Sequence, residues 1–479
     1  MRIYFMSICG TGMGNCALLM KSLGHDVSGS DHAAYPPMSD RLKESGISVL
    51  EGYDPKRLSE LRPDLVVVGN VNTRGNPEVE WLLENRSVRY VSLPELLSEK
   101  ILAGRSSVVV AGTHGKTTTT TLVAYLLKHS GHEPGYFIGG APMGLPSGAA
   151  IGNDEDPFVI EGDEYDCAFF DKRSKFIHYQ PKWLVLNNLE FDHADIFRDV
   201  QDVERVFSHL LKLVPANGAV IANSDDLVLG KLLHFDWAPI YRVGIGECAD
   251  LRIVGFSEDV GGSRFDLIYC GKKWASIDWP MWGLFNARNA AMAALAAAFS
   301  IGLSDPTDLP LSSLSAFKGV RRRQEVIYAD KDRVLMMDFG HHPTAIRQTL
   351  DSLRKRYPTK RVVLCFEARS NTACRNVHAS EFEMAFDLAD EVHLGSIFRF
   401  ERYSDRDRID LDGIASRLGR KAFAHGTNEV LGQAVEKLLL GTKDCLVVFF
   451  TNGSFDGIPL RLAEKLSRKR CSLPRIAVF

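Results

Sequence analysis

The run Gly112-Thr113-His114-Gly115-Lys116-Thr117-Thr118 follows three consecutive valines, Val108, Val109 and Val110, and precedes a threonine- and leucine-rich stretch. A buried strand, a glycine-flanked turn and a helix entrance in that order form a phosphate cradle. Unpaired N–H groups at the helix start face an anion, Lys116 adds a point charge, and the Thr117 hydroxyl suits a magnesium ion held by phosphates. The longer form of this motif has a further glycine six positions before the lysine. Here that position is Val110.

Other polar groups follow apolar runs in the same way. Glu161, Asp163 and Glu164 come directly after Phe158, Val159 and Ile160. The carboxyl ends of core strands are where α/β sheets bind ligands, and a carboxylate there is a second anchor for magnesium. Asp192 and His193 follow the run 184–186, a position open to a metal, phosphate or structural role. Asp338, His341 and His342 follow 334–337, with Pro343 suited to start a helix; no third ligand stands at zinc spacing, so a polar contact to nucleotide or substrate is expected. Arg321, Arg322 and Arg323 precede this segment, and guanidinium forks suit a phosphoryl group in transfer. Near the N-terminus, Gly10-Thr11-Gly12-Met13-Gly14 with Asp31 resembles a dinucleotide fingerprint, but Asn15 stands in place of the third glycine. A nucleoside diphosphate site is expected there rather than nicotinamide or flavin.

Positioning these groups requires strands and helices in alternation. The apolar pattern predicts strands over 3–8, 27–30 and 65–68 with a helix over 13–23, then strands over 158–160 and 183–186. Hairpin-like strands are expected between 251 and 278, and an alanine-rich helix over 286–299. A third stretch carries strands over 334–337, 362–366 and 445–450, with a helix from Pro343. This is an α/β chain of 479 residues, long enough for about three domains. A net charge of −3 gives no reason to expect a nucleic-acid surface. No apolar run suits a signal peptide or membrane span, so a cytoplasmic location is expected. Nine cysteines without a Cys-x-x-Cys pair predict neither a disulfide framework nor a zinc site.

Taken together, the phosphate loop, the acidic segment at Glu161, Asp192-His193, Asn286 with Asn289, the arginine run and the Asp-x-x-His-His-Pro segment resemble the Mur ligases in kind and in order. These are ATP-dependent amide-forming enzymes of peptidoglycan synthesis. The resemblance implies a Rossmann-like UDP-binding domain over 1–104, a central P-loop ATPase domain over 105–320 and a C-terminal Rossmann-like, peptide-binding domain over 321–479. It implies ATP and Mg2+ as cofactors, with Gly112, Thr113, His114, Gly115, Lys116, Thr117 and Thr118 around the phosphates and Asn286 and Asn289 facing adenine. Arg323 and Asp338 would close over phosphate and ribose; Thr117 and Glu161 would hold one magnesium and His193 a second. Lys116, His193, Arg323 and Asp338 are the implied catalytic set. Gly10, Thr11, Gly12, Met13, Ser30, Asp31, Asn70, Thr73, Asn76 and His114 would bind the UDP-sugar.

Segments 69–77, 163–176, 187–197 and 369–372 resemble the family branch that recycles cell-wall peptides. That branch joins UDP-N-acetylmuramate to L-alanyl-γ-D-glutamyl-meso-diaminopimelate, here with Arg369, Ser370, Asn371 and His342 as implied peptide contacts. The alternative is the sister branch, which adds L-alanine. Small molecules are the implied partners, with neither nucleic acid nor membrane among them. Ser208 stands where several relatives carry a carbamylated lysine, as in the muramate-binding branch. Three positions depart from the family pattern: Phe285, Met337 and Gln324. Replacing Lys116 is expected to abolish phosphate transfer with little loss of fold.

Overall fold

The computed structural model describes residues 1–34 and 36–471, so the last eight residues of the expected third domain lie outside it. Three large sheets follow one another along the chain, with a two-stranded one, Asp166–Ala168 against Asp171–Ser174, beside the second. The first has five parallel strands in the order Ser48–Glu51, Asp26–Asp31, Arg2–Met6, Leu65–Val68, Arg89–Ser92. The chain builds outward from Arg2–Met6 in one direction and then, from Leu65–Val68, in the other. The crevice where that order reverses opens beyond the carboxyl ends of these two strands, which carry the Gly10 turn and the Gly69-Asn70 turn. The first strand stops at Met6, short of the expected Ile8, because Ser7 takes a left-handed φ of 63°.

The second sheet has ten strands, with Trp183–Leu186, Ser107–Ala111 and Phe158–Glu161 side by side and parallel. These three are almost wholly buried. Runs such as Val108-Val109-Val110 show no polar alternation because both faces of a parallel sheet are covered. Their adjacency brings the phosphate loop, Glu161 and the turn after Leu186 to one edge. Helices Lys116–His129 and Leu284–Ser300 cover this region, and alanines along the second allow it to be buried on nearly every side. The expected hairpins are the antiparallel strands Leu251–Asp259, Gly262–Tyr269 and Lys272–Trp279.

The third sheet runs Glu325–Ala329, Arg333–Asp338, Cys445–Phe450, Arg361–Ala368, Glu391–Ile397, Ala422–Ala424, parallel except for its first strand. Asp338 ends one of its central strands. His342 caps the helix Pro343–Arg356, with proline in its first turn.

Candidate active site

The phosphate loop is held by glycines that nothing else can replace. Gly112 has φ 132° and Gly115 φ 81°. A Cβ on Gly115 would stand 2.6 Å from Asn187 Nδ2 and 2.8 Å from Asn289 Oδ1, and one on Gly112 would meet Asn187 and Asn188 at 3.0 Å. The loop lies against the neighbouring strand end: Thr113 N donates to Asn188 O at 3.1 Å and His114 N to Asn188 Oδ1 at 2.7 Å. Lys116 Nζ curls back to donate to Gly112 O at 2.7 Å and to Glu164 Oε2 at 2.7 Å. Burial works against the lysine charge, but Glu164 and Asp163 outweigh it and its pKa is raised.

Glu164 also accepts from His193, Nε2 to Oε1, at 2.9 Å. One buried carboxylate therefore grips both the loop lysine and the histidine. His193 holds a left-handed φ of 59°, unusual for a histidine, and its ring lies 4.1 Å from that of Tyr165. Burial opposes its cationic form, yet Glu164 and Asp192 raise its pKa overall. Thr117 Oγ1 donates to Glu161 Oε1 at 2.9 Å, and Glu161 Oε2 accepts from Gly139 N at 2.7 Å. Two oxygens bound at 2.0–2.1 Å to adjacent corners of an octahedron stand about 2.9 Å apart, so this pair fits a magnesium ion. Asp163, Glu164 and His193 offer a second cluster of ligand atoms within 4.8 Å of one another.

The third sheet brings its groups onto the loop. Arg323 Nη2 reaches Thr117 Oγ1 at 3.5 Å and its guanidinium lies 4.5 Å over the Phe339 ring. Burial lowers its pKa, against Asp338 and Glu161. Asp338 is fixed by Gln324 N at 2.8 Å and Gly340 N at 2.7 Å, and burial raises its pKa. His342 meets the central sheet through Nε2, 3.2 Å from Phe191 O.

Thr113, Lys116, Thr117, Glu161, His193, Arg323 and Asp338 border one cavity of ≈ 1460 Å³ lined from all three large sheets, with Glu164 just behind its wall. Gly10, Thr11, Gly12, Met13, Asp31 and Asn70 line it at one end; Asn286, Asn289 and Phe285 line it at another, and Arg369, Ser370, Asn371 and His342 also face it. Four expected contacts do not reach the cavity wall. Gly112 lies beneath Asn187 and Asn188. Ser30 is fully buried and donates to Glu78 at 2.6 Å. Asn76 caps the helix Pro77–Asn85, and Thr73 Oγ1 donates to Arg74 O. Ser30 and Asp31 are consecutive in a strand and so point to opposite sheet faces; only Asp31 turns to the cavity, accepting from Cys9 N at 2.8 Å.

Other wall residues had no individual role assigned from sequence. Arg41 and Asn15 face the N-terminal end, paired at 3.3 Å, and Lys175 and Tyr165 face the middle. Arg322 Nε, Gln324 Nε2 and Asn452 Oδ1 are buried without a hydrogen-bond partner and belong to residues on this wall. Such idle polar atoms suit a polar ligand. Glu164 was legible as part of an acidic segment; its grip on Lys116 depends on the fold.

Three family descriptions match the chain: Mur ligase family, catalytic domain, over 2–105; Mur ligase middle domain over 110–298; and Mur ligase, glutamate ligase domain, over 322–450. The chain is 39% identical over 471 residues, 98% of its length and 99% of the relative's, to the UDP-N-acetylmuramate--L-alanyl-gamma-D-glutamyl-meso-2,6-diaminoheptandioate ligase of Escherichia coli strain K12. The crystal structure of a murein peptide ligase from Psychrobacter arcticus 273-4 matches with a TM-score of 0.73 at 34% identity, covering 100% of both chains. A UDP-N-acetylmuramate--L-alanine ligase of Pediococcus pentosaceus is 32% identical over 87% of this chain and 89% of its own.

Proposed function

The chain belongs to the Mur ligase family, and from that premise we propose that it joins UDP-N-acetylmuramate to L-alanyl-γ-D-glutamyl-meso-diaminopimelate, using ATP and Mg2+, in peptidoglycan recycling. The observation that carries this reading is the single cavity into which the Gly10 turn, the phosphate loop and the Arg369 segment all open. A sugar nucleotide, a triphosphate and a peptide can meet there. The likeness to the tripeptide ligase of Escherichia coli over nearly the whole chain favours the peptide over L-alanine as acceptor. We take the domains as 1–104, 105–320 and 321–479, in keeping with the three sheets.

A muramate carboxylate is a poor acyl donor because oxide is a poor leaving group. Its oxygen attacks the γ-phosphorus of ATP, the bond to the bridging oxygen breaks, and ADP leaves an acyl phosphate. That step needs positioning and charge neutralisation more than covalent help. Lys116 and Arg323 provide two cations close to Thr117, and bound phosphates would draw Lys116 from Glu164. Magnesium on Thr117 and Glu161, with a second ion near His193, would supply further neutralisation. Asn286 and Asn289 face the adenine end, and Asp338 orders the loop that carries Arg323. The L-alanyl amine then attacks the acyl carbon, and the tetrahedral intermediate collapses to amide and phosphate. Contacts between the central and C-terminal sheets keep water from the acyl phosphate.

Phosphate release with ATP, magnesium and UDP-N-acetylmuramate, with the tripeptide or L-alanine added in parallel, tests the reading. Tripeptide-dependent release with a UDP-muropeptide product is expected. Release that follows L-alanine instead would assign the chain to the sister branch.

A further inference from the structure

A second set of ligand atoms lies at the seam between the central and C-terminal sheets, apart from the groups assigned to magnesium. His114 comes from the phosphate loop, Glu190 from the turn after Trp183–Leu186, and His342 from the cap of Pro343–Arg356. His114 Nε2 is 3.3 Å and His342 Nδ1 is 3.1 Å from the same oxygen, Glu190 Oε2. All three ligand atoms lie within 4.8 Å of one another. The backbone holds each group: Glu190 N donates to Thr113 Oγ1 at 2.9 Å, and His114 N donates to Asn188 Oδ1 at 2.7 Å.

The tautomer of His342 decides what the site can hold. Its Nε2–H donates to Phe191 O, the backbone contact that commonly orients a metal-bound histidine. Nδ1 then carries the lone pair, which accepts a long 3.3 Å hydrogen bond from Thr344 N at the helix cap. That lone pair faces a carboxylate oxygen at 3.1 Å, so two acceptors oppose each other. A cation between them removes the repulsion. Burial and the nearby His114 keep His342 neutral, with its pKa lowered to about 3, and Glu190 stays ionised because the contact with His114, helped by Thr344, outweighs its burial. Both groups are thus in the state that binds metal.

Spacing and donor type indicate which cation. Ligands at 2.0–2.1 Å from a tetrahedral centre stand about 3.3 Å apart, close to the two distances seen. Two imidazoles and one carboxylate suit a borderline ion, whereas magnesium takes oxygen. We propose that His114 Nε2, Glu190 Oε2 and His342 Nδ1 form a site for a zinc-class divalent transition cation, with its remaining position open to the cavity that His114 and His342 line. With ligands from both sheets, a bound ion staples the C-terminal sheet to the phosphate loop.

Cobalt(II) titration of the full chain in excess magnesium tests this without requiring turnover. One cobalt per chain with four-coordinate visible bands, displaced by zinc, is expected. His342→Gln and Glu190→Gln should each weaken binding by at least about tenfold, the low end of what outer-shell losses cost, while His193→Gln leaves the bands unchanged. Melting curves in metal-free buffer establish that each variant is folded, and X-ray absorption on the unmodified zinc-loaded protein should show imidazole and carboxylate ligands only. Absence of the four-coordinate bands, their persistence in folded His342→Gln, their loss in folded His193→Gln, or a zinc–sulfur distance of about 2.3 Å, which would point instead to Cys167 beside Asp171 and His178, would each overturn the proposal.

Discussion

Glu164 binds Lys116 with one carboxylate oxygen and His193 with the other, and its side chain is only 3% exposed. This changes the expectation that Lys116 can be removed with little effect on the fold. Lys116→Met leaves a buried carboxylate with half its partners, which costs about 3 kcal/mol, in addition to a loss of turnover of about 10²–10³-fold. Adding Glu164→Gln should restore part of the stability and none of the activity. Urea unfolding of the two variants checks this, and a Lys116→Met protein as stable as the parent would contradict it. His342 gives a pH signature with a definite sign. Its folded pKa, about 3, lies below the ordinary 6.5, so between those values the unfolded chain binds a proton that the folded chain does not, and stability falls as pH drops from 6.5. Glu190, lowered from 4.5 to about 2, acts in the same direction at lower pH. His342→Gln should therefore melt with a shallower pH dependence below 6.5; a curve parallel to the parent's would count against a buried neutral imidazole.

The strands that carry the chemistry were legible because their apolar runs end abruptly in polar residues. Leu65–Val68, Trp183–Leu186 and Cys445–Phe450 have the bounds their composition predicts. Ile240–Gly244 and Glu391–Ile397 were not legible: tyrosine, arginine and histidine interrupt them, and their pairing partners define them. Side-chain direction was harder still, since neither Ser30 nor Asp31 announces which sheet face it occupies. The phosphate loop gives a clear trial at this scale. Gly115→Ala forces a side chain into φ 81° and against Asn187, so nucleotide affinity should collapse while UDP-N-acetylmuramate still binds. Calorimetry with each ligand decides, and unchanged nucleotide affinity would contradict the cradle.

Across the whole molecule, the C-terminal sheet is docked on the central one at two places. Beside the cavity, Phe191 O receives both His342 and His378, Ala194 N donates to Thr372 Oγ1, and Asn371 Nδ2 donates to Asp195 Oδ2 at 2.7 Å. Farther off, Glu258 accepts from Ser352 and Lys355, while Arg356 lies 3.5 Å over Trp282. These pairs join residues far apart in sequence with no periodic signature, so the closed seam could not be read from the chain. A hydrogen bond to a charged group is worth about 1.5–3 kcal/mol. We propose that Asn371 also contacts the peptide, so Asn371→Ala should raise the KM for the tripeptide roughly tenfold or more, with UDP-N-acetylmuramate binding intact; an unchanged KM would contradict that contact. No helix among the described residues is long and apolar enough to cross a membrane. The central claim, that three substrates meet in one cavity and react through an acyl phosphate, is tested most directly by labelling the muramate carboxylate of the sugar nucleotide with oxygen-18. With ATP, magnesium and the tripeptide, one labelled oxygen should appear in the released phosphate for each UDP-muropeptide formed; phosphate free of label would contradict the account.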